Sequence, residues 1–164
     1  MLKHFPLMVM VAGLLVSCQK INHTRQRWKE KTTRVIDQVA PRFDAYQPDT
    51  PFNRERFKEF LQVEPTEDVR HIYCFSDAIG IDADYQFAFQ CQPSTARRII
   101  EKHQLSVSEA AVDPAFGLQS DFDWWDKKKI AALKLYSWNN EGQYFKYFWY
   151  DETAQQAYYF EFDM

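Results

Sequence analysis

Glycine is nearly absent: four residues in 164, at positions 13, 80, 117 and 142. A loop that cradles phosphates through its backbone needs several glycines close together, so that class of nucleotide site is excluded. Histidine is as scarce, with His4, His23, His71 and His103 only. No two of them stand one helical turn apart beside a glutamate, and no Gly-x-Ser-x-Gly occurs, so the zinc-peptidase and nucleophile-elbow signatures are missing. Basic charge is not in excess: 20 Lys and Arg face 23 Asp and Glu, a formal charge of −3, which argues against nucleic acid as a partner. No apolar run approaches the roughly 20 residues needed to span a bilayer. The longest clean stretch, Leu7 to Val16, is half of that. Internal repeats and low-complexity tracts are lacking too.

What the N-terminus does hold is a short leader. Lys3 and His4 precede the apolar stretch, and Leu15-Val16-Ser17-Cys18 closes it with a small residue before a cysteine. This pattern resembles the lipobox of bacterial lipoproteins. The resemblance implies that residues 1–17 are a signal peptide and that Cys18 is the lipidation site, carrying palmitate-type acyl chains. It places the soluble part outside the cytoplasm, on the cell membrane or outer membrane. Gln19, where an aspartate would favour inner-membrane retention, implies an outer-membrane passenger where the host is Gram-negative. Each buried methylene contributes about 0.8 kcal/mol, so two or three chains hold essentially permanently. An oxidising compartment in turn makes a Cys74–Cys91 disulfide an option, with two unbridged core thiols as the alternative.

Residues 18–52 read as a lipid-anchored tether. Val35, Ile36 and Val39 fall at helical spacing in a segment from Ile21 to Ala40, and Lys20 just before it joins Arg25, Arg27, Lys29, Lys31 and Arg34 within it. Beside a lipid anchor such residues can meet anionic headgroups, although a run of charge is more often a solvated helix face. Pro41, Pro48 and Pro51 make the rest a connector.

Residues 53–164 read as one α+β domain. Asn53 is the expected N-cap of a helix from Arg54 to Val63, with Phe57, Phe60 and Leu61 inward. Ile72 and Cys74, then Tyr85, Phe87, Phe89 and Cys91, alternate with a period of two around a turn rich in aspartate, predicting a β-hairpin. Asp77, Asp82 and Asp84 lack the spacing of a calcium loop and read as turn formers. Ser94 is the expected cap of a helix through His103 that buries Ala96, Ile99 and Ile100, and residues 107–118 read as loop. Three strands, Leu133–Trp138, Tyr144–Tyr150 and Tyr158–Phe162, make a C-terminal meander. The prediction is a mainly antiparallel five-stranded sheet, hairpin plus meander, with two or three helices packed on it.

The aromatics are unevenly placed: 15 of 28 lie between Phe122 and Phe162. Tyr144, Tyr147 and Trp149 belong to a strand that is aromatic on both sides, so it is either central and covered or half given to a partner. Trp124 and Trp125, flanked by Asp121, Asp123 and Asp126, could stack a sugar, or could simply cap the core. Trp124, Trp125, Tyr144, Tyr147 and Trp149 are therefore the candidate binding surface. No catalytic residue, metal ligand or cofactor is predicted. The function expected is a membrane-anchored, non-enzymatic module that binds an envelope protein through its aromatic sheet. The alternative is a glycan- or peptidoglycan-binding module or weak hydrolase built on Trp124 and Trp125.

Overall fold

The computed structural model describes residues 43–79, 82–108 and 113–164. The leader, Cys18 and the basic segment from Ile21 to Ala40 lie outside the described residues. Three helices, α1 (Pro51–Leu61), α2 (Pro93–Lys102) and α3 (Lys127–Ala131), accompany six strands: β1 (Arg70–Ile79), β2 (Asp82–Gln90), β3 (Ser106–Val107), β4 (Leu135–Asn140), β5 (Tyr144–Asp151) and β6 (Gln156–Asp163). The sheet runs β1-β2-β6-β5-β4-β3, and each pairing is antiparallel. Among the described residues no helix is long and apolar enough to cross a membrane.

The α+β reading and the antiparallel sheet are thus observed, with six strands where five were expected. The sixth is β3, only two residues long, which pairs Ser106 with Ser137 and Val107 with Tyr136. Two residues show no alternation in sequence, so a loop was the natural expectation there. The hairpin is also tighter than its aspartates suggested: Asp77 pairs with Asp84 and Ile79 with Asp82, placing these residues in the ladder instead of a long loop.

Both helix caps differ from expectation. Thr50, not Asn53, caps α1, its hydroxyl accepting from Asn53 N–H at 3.1 Å, and Pro51 takes the first helical position where no amide partner is needed. Asn53 is fully buried, one turn before Phe57 and two before Leu61 on the same inward stripe. Its Oδ1 accepts from Asp44 N–H and Cys74 Sγ–H, both at 2.9 Å, and its Nδ2 faces the carbonyls of Asp44, Gln47 and Ile72. The residues before α1 therefore belong to the folded unit, Arg42–Met164, and Phe43 lays its ring against Phe60 and Tyr85. Helix α2 starts at Pro93 with Gln92 as a cap whose side chain makes no capping bond. Asp68, from the loop before β1, supplies the missing acceptor: its Oδ2 takes Gln92 N–H at 3.0 Å and Thr95 Oγ1–H at 2.8 Å.

Each face of the sheet has its own core. On one, α1 and α2 bring Phe57, Leu61, Ala96 and Ile99 onto Ile72, Cys74, Phe87, Phe89, Phe148 and Tyr159. On the other, Trp125 and Ile130 from the segment between β3 and β4 cover Ala88, Tyr147, Trp149, Tyr158, Phe160 and Phe162. Strand alternation sorts β5 and β6 between the two, which is why both read as apolar on either side. The β4–β5 turn is closed by Gln143 N–H to Asn140 O at 2.9 Å, with positive φ at Glu141 (49°) and Gly142 (78°). A β-turn with both central residues at positive φ matches strand twist, here inside a three-residue loop, and glycine meets its second central position without strain.

Candidate functional site

The structure separates the five aromatic residues of the candidate surface. Trp125, Tyr147 and Trp149 are 2%, 4% and 1% exposed and belong to the core, so they form no surface. Trp125 stands at 85° to both Trp149 and Tyr158, and its indole N–H donates to Gln119 Oε1 at 2.8 Å. A strand with ring faces on either side lies centrally here, between β4 and β6, and is covered twice. Trp124 and Tyr144 remain half-buried, on opposite faces of the sheet.

The expected option of a Cys74–Cys91 bridge is not realised. Both thiols are free and buried. Cys74 pairs with Phe87, so Cys91, just past the end of β2, lies four residues beyond that partner, about 13 Å at strand rise and far beyond disulfide reach. Burial pushes both thiols up to about 12, which leaves them unreactive.

Trp124 organises the open part of the second face. Its ring lies nearly parallel to Phe122 (4.7 Å, 4°) and to Tyr73 on β1 (5.6 Å, 12°), while Phe75 contacts Phe122 at 4.9 Å. Four rings from two distant segments so clamp the chain around Phe122 onto the sheet edge. The Trp124–Trp125 angle of 84° rules out a flat double-tryptophan platform. The Trp124 N–H donates to Ala45 O at 2.8 Å, which ties down the turn carrying Tyr46. Asp44 Oδ1 accepts from both Tyr46 N–H and Gln47 N–H at 2.9 Å, and Asn53 holds the Asp44 backbone at both ends. Tyr46 is nevertheless 86% exposed.

Three adjoining depressions of about 540, 510 and 500 Å³ open around Asp121–Lys129. The first is lined by Ala45, Tyr46, Tyr73, Asp121, Phe122, Asp123 and Trp124. The second adds His71, Asp126, Lys129 and Tyr158, and the third Lys127 and Lys128. Asp123 borders all three. Its neighbours are committed elsewhere: Asp121 pairs with Lys127 at 2.8 Å, Lys129 with Asp151 at 3.1 Å, and Asp126 caps α3 through Lys128 and Lys129 N–H.

The first face holds a polar cluster that sequence reasoning missed. Glu161, 3% exposed, accepts a hydrogen bond from the Tyr159 hydroxyl, with Tyr144 as a second hydroxyl partner. Burial raises its carboxyl, against these two hydroxyls and the Lys146 charge. Burial, followed by the charge and hydrogen bond of Glu161, pushes the Tyr144 hydroxyl well up. His103 places Nε2 3.0 Å from Leu61 O and Nδ1 3.0 Å from Lys146 Nζ. Because the ammonium can only donate, Nδ1 accepts and Nε2–H donates, which defines a neutral ring. Burial first and Lys146 second lower His103 to about 4. The polar residues here come from β5, β6 and the end of α2, so no local motif announces them.

Among the described residues no three His, Cys, Asp or Glu side chains converge to hold a metal ion. No protein-family model, curated protein or solved structure matches the chain.

Proposed function

We propose that the chain is a membrane-anchored envelope protein, fastened by lipid on Cys18, whose folded unit is a non-enzymatic module that binds another envelope protein. The anchoring half rests on Leu15-Val16-Ser17-Cys18 and the basic stretch from Lys20 to Arg34. One observation carries the binding half: three depressions converge on Asp121–Lys129 beside an exposed tyrosine whose turn is fixed by hydrogen bonds. A ring on a rigid backbone gives large contact area for little lost entropy, so tyrosine is a frequent interface anchor. The binding surface is accordingly the Tyr46–Trp124 groove in place of the sheet aromatics. The acid and base with displaced pKa values, Glu161 and His103, lie on the other face with their hydrogen bonds taken up by protein.

Two experiments test this. Alkyne-palmitate labelling should mark the wild-type chain and fail in Cys18→Ala, which should leave the membrane fraction; mature protein without acyl mass would overturn the anchor. Photoreactive benzoylphenylalanine in place of Tyr46 should yield a discrete cross-linked band in intact cells, absent when it replaces the exposed Glu101 on α2. No band specific to position 46 would overturn the binding surface.

The glycan-binding alternative, which includes a weak hydrolase, draws on Asp121 and Asp123 beside Trp124, since carboxylates accept sugar hydroxyls. It favours peptidoglycan fragments as ligand. A change in tryptophan fluorescence on adding such fragments, abolished by Tyr46→Ala, would support it over a protein partner.

A further inference from the structure

We infer that the depression beside Tyr46 receives a cationic side chain, lysine or arginine, from a basic segment of the partner. The inference rests on the protein-binding reading above and names its chemistry. Four rings (Tyr46, Tyr73, Phe122 and Trp124) and two carboxylates (Asp121 and Asp123) line this depression, and no basic side chain does. Its two neighbours differ: Lys129 borders the second, and Lys127 and Lys128 border the third.

Charge accounting within the cluster leaves two side chains unpaired among the described residues, Asp123 and Lys128, and of these only Asp123 borders the first depression. Asp121 already carries Lys127, and Asp126 is spent on the first turn of α3. Asp123 has no hydrogen-bond or ion-pair partner among the described residues, and it sits where all three depressions meet. An arriving cation would find an unmatched carboxylate and, on Tyr46, a ring open to water; ring and carboxylate together attract a guanidinium or ammonium group. A neutral sugar would leave that carboxylate unmatched, and the large indole of Trp124 is already stacked on Phe122 and Tyr73. The anchor is also pre-set. The Tyr46 turn is held by Asp44 and by the Trp124 N–H, so little ordering accompanies binding.

The test uses the full mature chain in nonionic micelles, titrated with a nonapeptide alternating arginine and glycine and followed by tryptophan fluorescence. Its glutamate counterpart and peptidoglycan fragments serve as controls. Asp123→Asn should weaken the arginine peptide about fivefold. Tyr46→Ala should do likewise, and Glu101→Gln, an equal change of charge on the other face, should leave binding unaltered. Since Asp123 is exposed and supports no internal contact, its replacement leaves the fold intact. Equal weakening by Asp123→Asn and Glu101→Gln, equal binding of the glutamate peptide, or binding of peptidoglycan fragments alone would each overturn the inference. The cross-link at position 46 separates the two readings. A band of undiminished intensity in Asp123→Asn keeps the partner surface and removes the cation, whereas no band in the parent chain removes both.

Discussion

Beneath α1 and α2 the sheet is packed by residues at helical spacing, Asn53, Phe57 and Leu61 on one helix and Ala96 and Ile99 on the other. Across the sheet, the cover is residues 113–134, with a single five-residue helix and several ties from side chains to backbone besides its packed rings. Gln86 on β2 gives both ends of its amide to Ser120, Lys127 reaches Gln119 O at 2.7 Å, and Tyr147 donates to Asp113 O at 3.2 Å. A regular helix satisfies its own backbone and seals a face continuously. An irregular cover satisfies its backbone point by point and leaves gaps between the points. The three depressions open among those points, on the less regular face.

Removing one large ring from each side tests this contrast most strongly. Phe57→Ala should cost about 4 kcal/mol in urea unfolding, because Phe57 is fully buried and meets Phe89 edge-on at 4.8 Å. Trp125→Ala should cost about 3 kcal/mol, with fast hydrogen exchange confined to residues 113–134 while β2 and β6 stay protected. Loss of protection throughout the sheet in both variants would mean that the two covers form one cooperative unit, and the contrast would fail.

Next in size is a pH effect belonging to the helix-covered face. His103 binds a proton less well folded, near 4, than unfolded, near 6.5, so stability is full above pH 6.5 and falls as the pH drops toward 4. The loss approaches about 3 kcal/mol at its limit. Lys146, against the ring, enforces the shift, whereas Glu161 on the same face, held up by burial, takes on protons more readily folded than unfolded and offsets part of the loss as pH falls. Urea midpoints measured between pH 7 and 4 should show the decline, and His103→Gln should flatten it. A parallel decline in that variant would place its origin elsewhere.

The smallest effect sharpens the point that even the regular face borrows from loops. Asp68→Ala should destabilise by about 1 kcal/mol, as loss of a helix cap does. Asp68 is opposed by desolvation, but hydrogen bonds from Thr66, Gln92 and Thr95 outweigh it and hold the carboxyl below 3.8. Its contribution is therefore present above pH 3.8 and lost as pH falls through the lowered value. The gap between wild type and variant in thermal melts should narrow as the pH is taken from 7 down through the lowered value. A gap that persists at acid pH would show that Asp68 acts by packing.

How far the sequence could be read followed the range of each interaction. The hairpin, the meander and the inward residues of both helices rest on neighbours two to four positions apart, and Phe57, Leu61, Phe87, Phe89, Ala96 and Ile99 are buried as their periodicity required. The caps were misplaced for a related reason. Thr50 and Asn53 are both good capping residues, and nothing local says that Asn53 is needed inside, against Ile72 O and Cys74 Sγ. The candidate site was legible only in part. The Asp121–Asp126 run, with Trp124 at its centre, stood out, but Tyr46 sat unnoticed in a proline-rich connector, and its place beside Trp124 depends on a hydrogen bond spanning 79 residues.

Composition and short-range pattern by themselves determined the class of fold, the antiparallel order of the hairpin and meander, and which side chains face inward. Only the tertiary structure decided which of the many aromatics would be enclosed, that Cys74 and Cys91 stay apart, and that an acidic, ring-lined groove opens on the face without long helices. Periodicity reports whether a side chain points to one side of an element. What waits on that side is set by segments far away in the chain, and no local spacing encodes them.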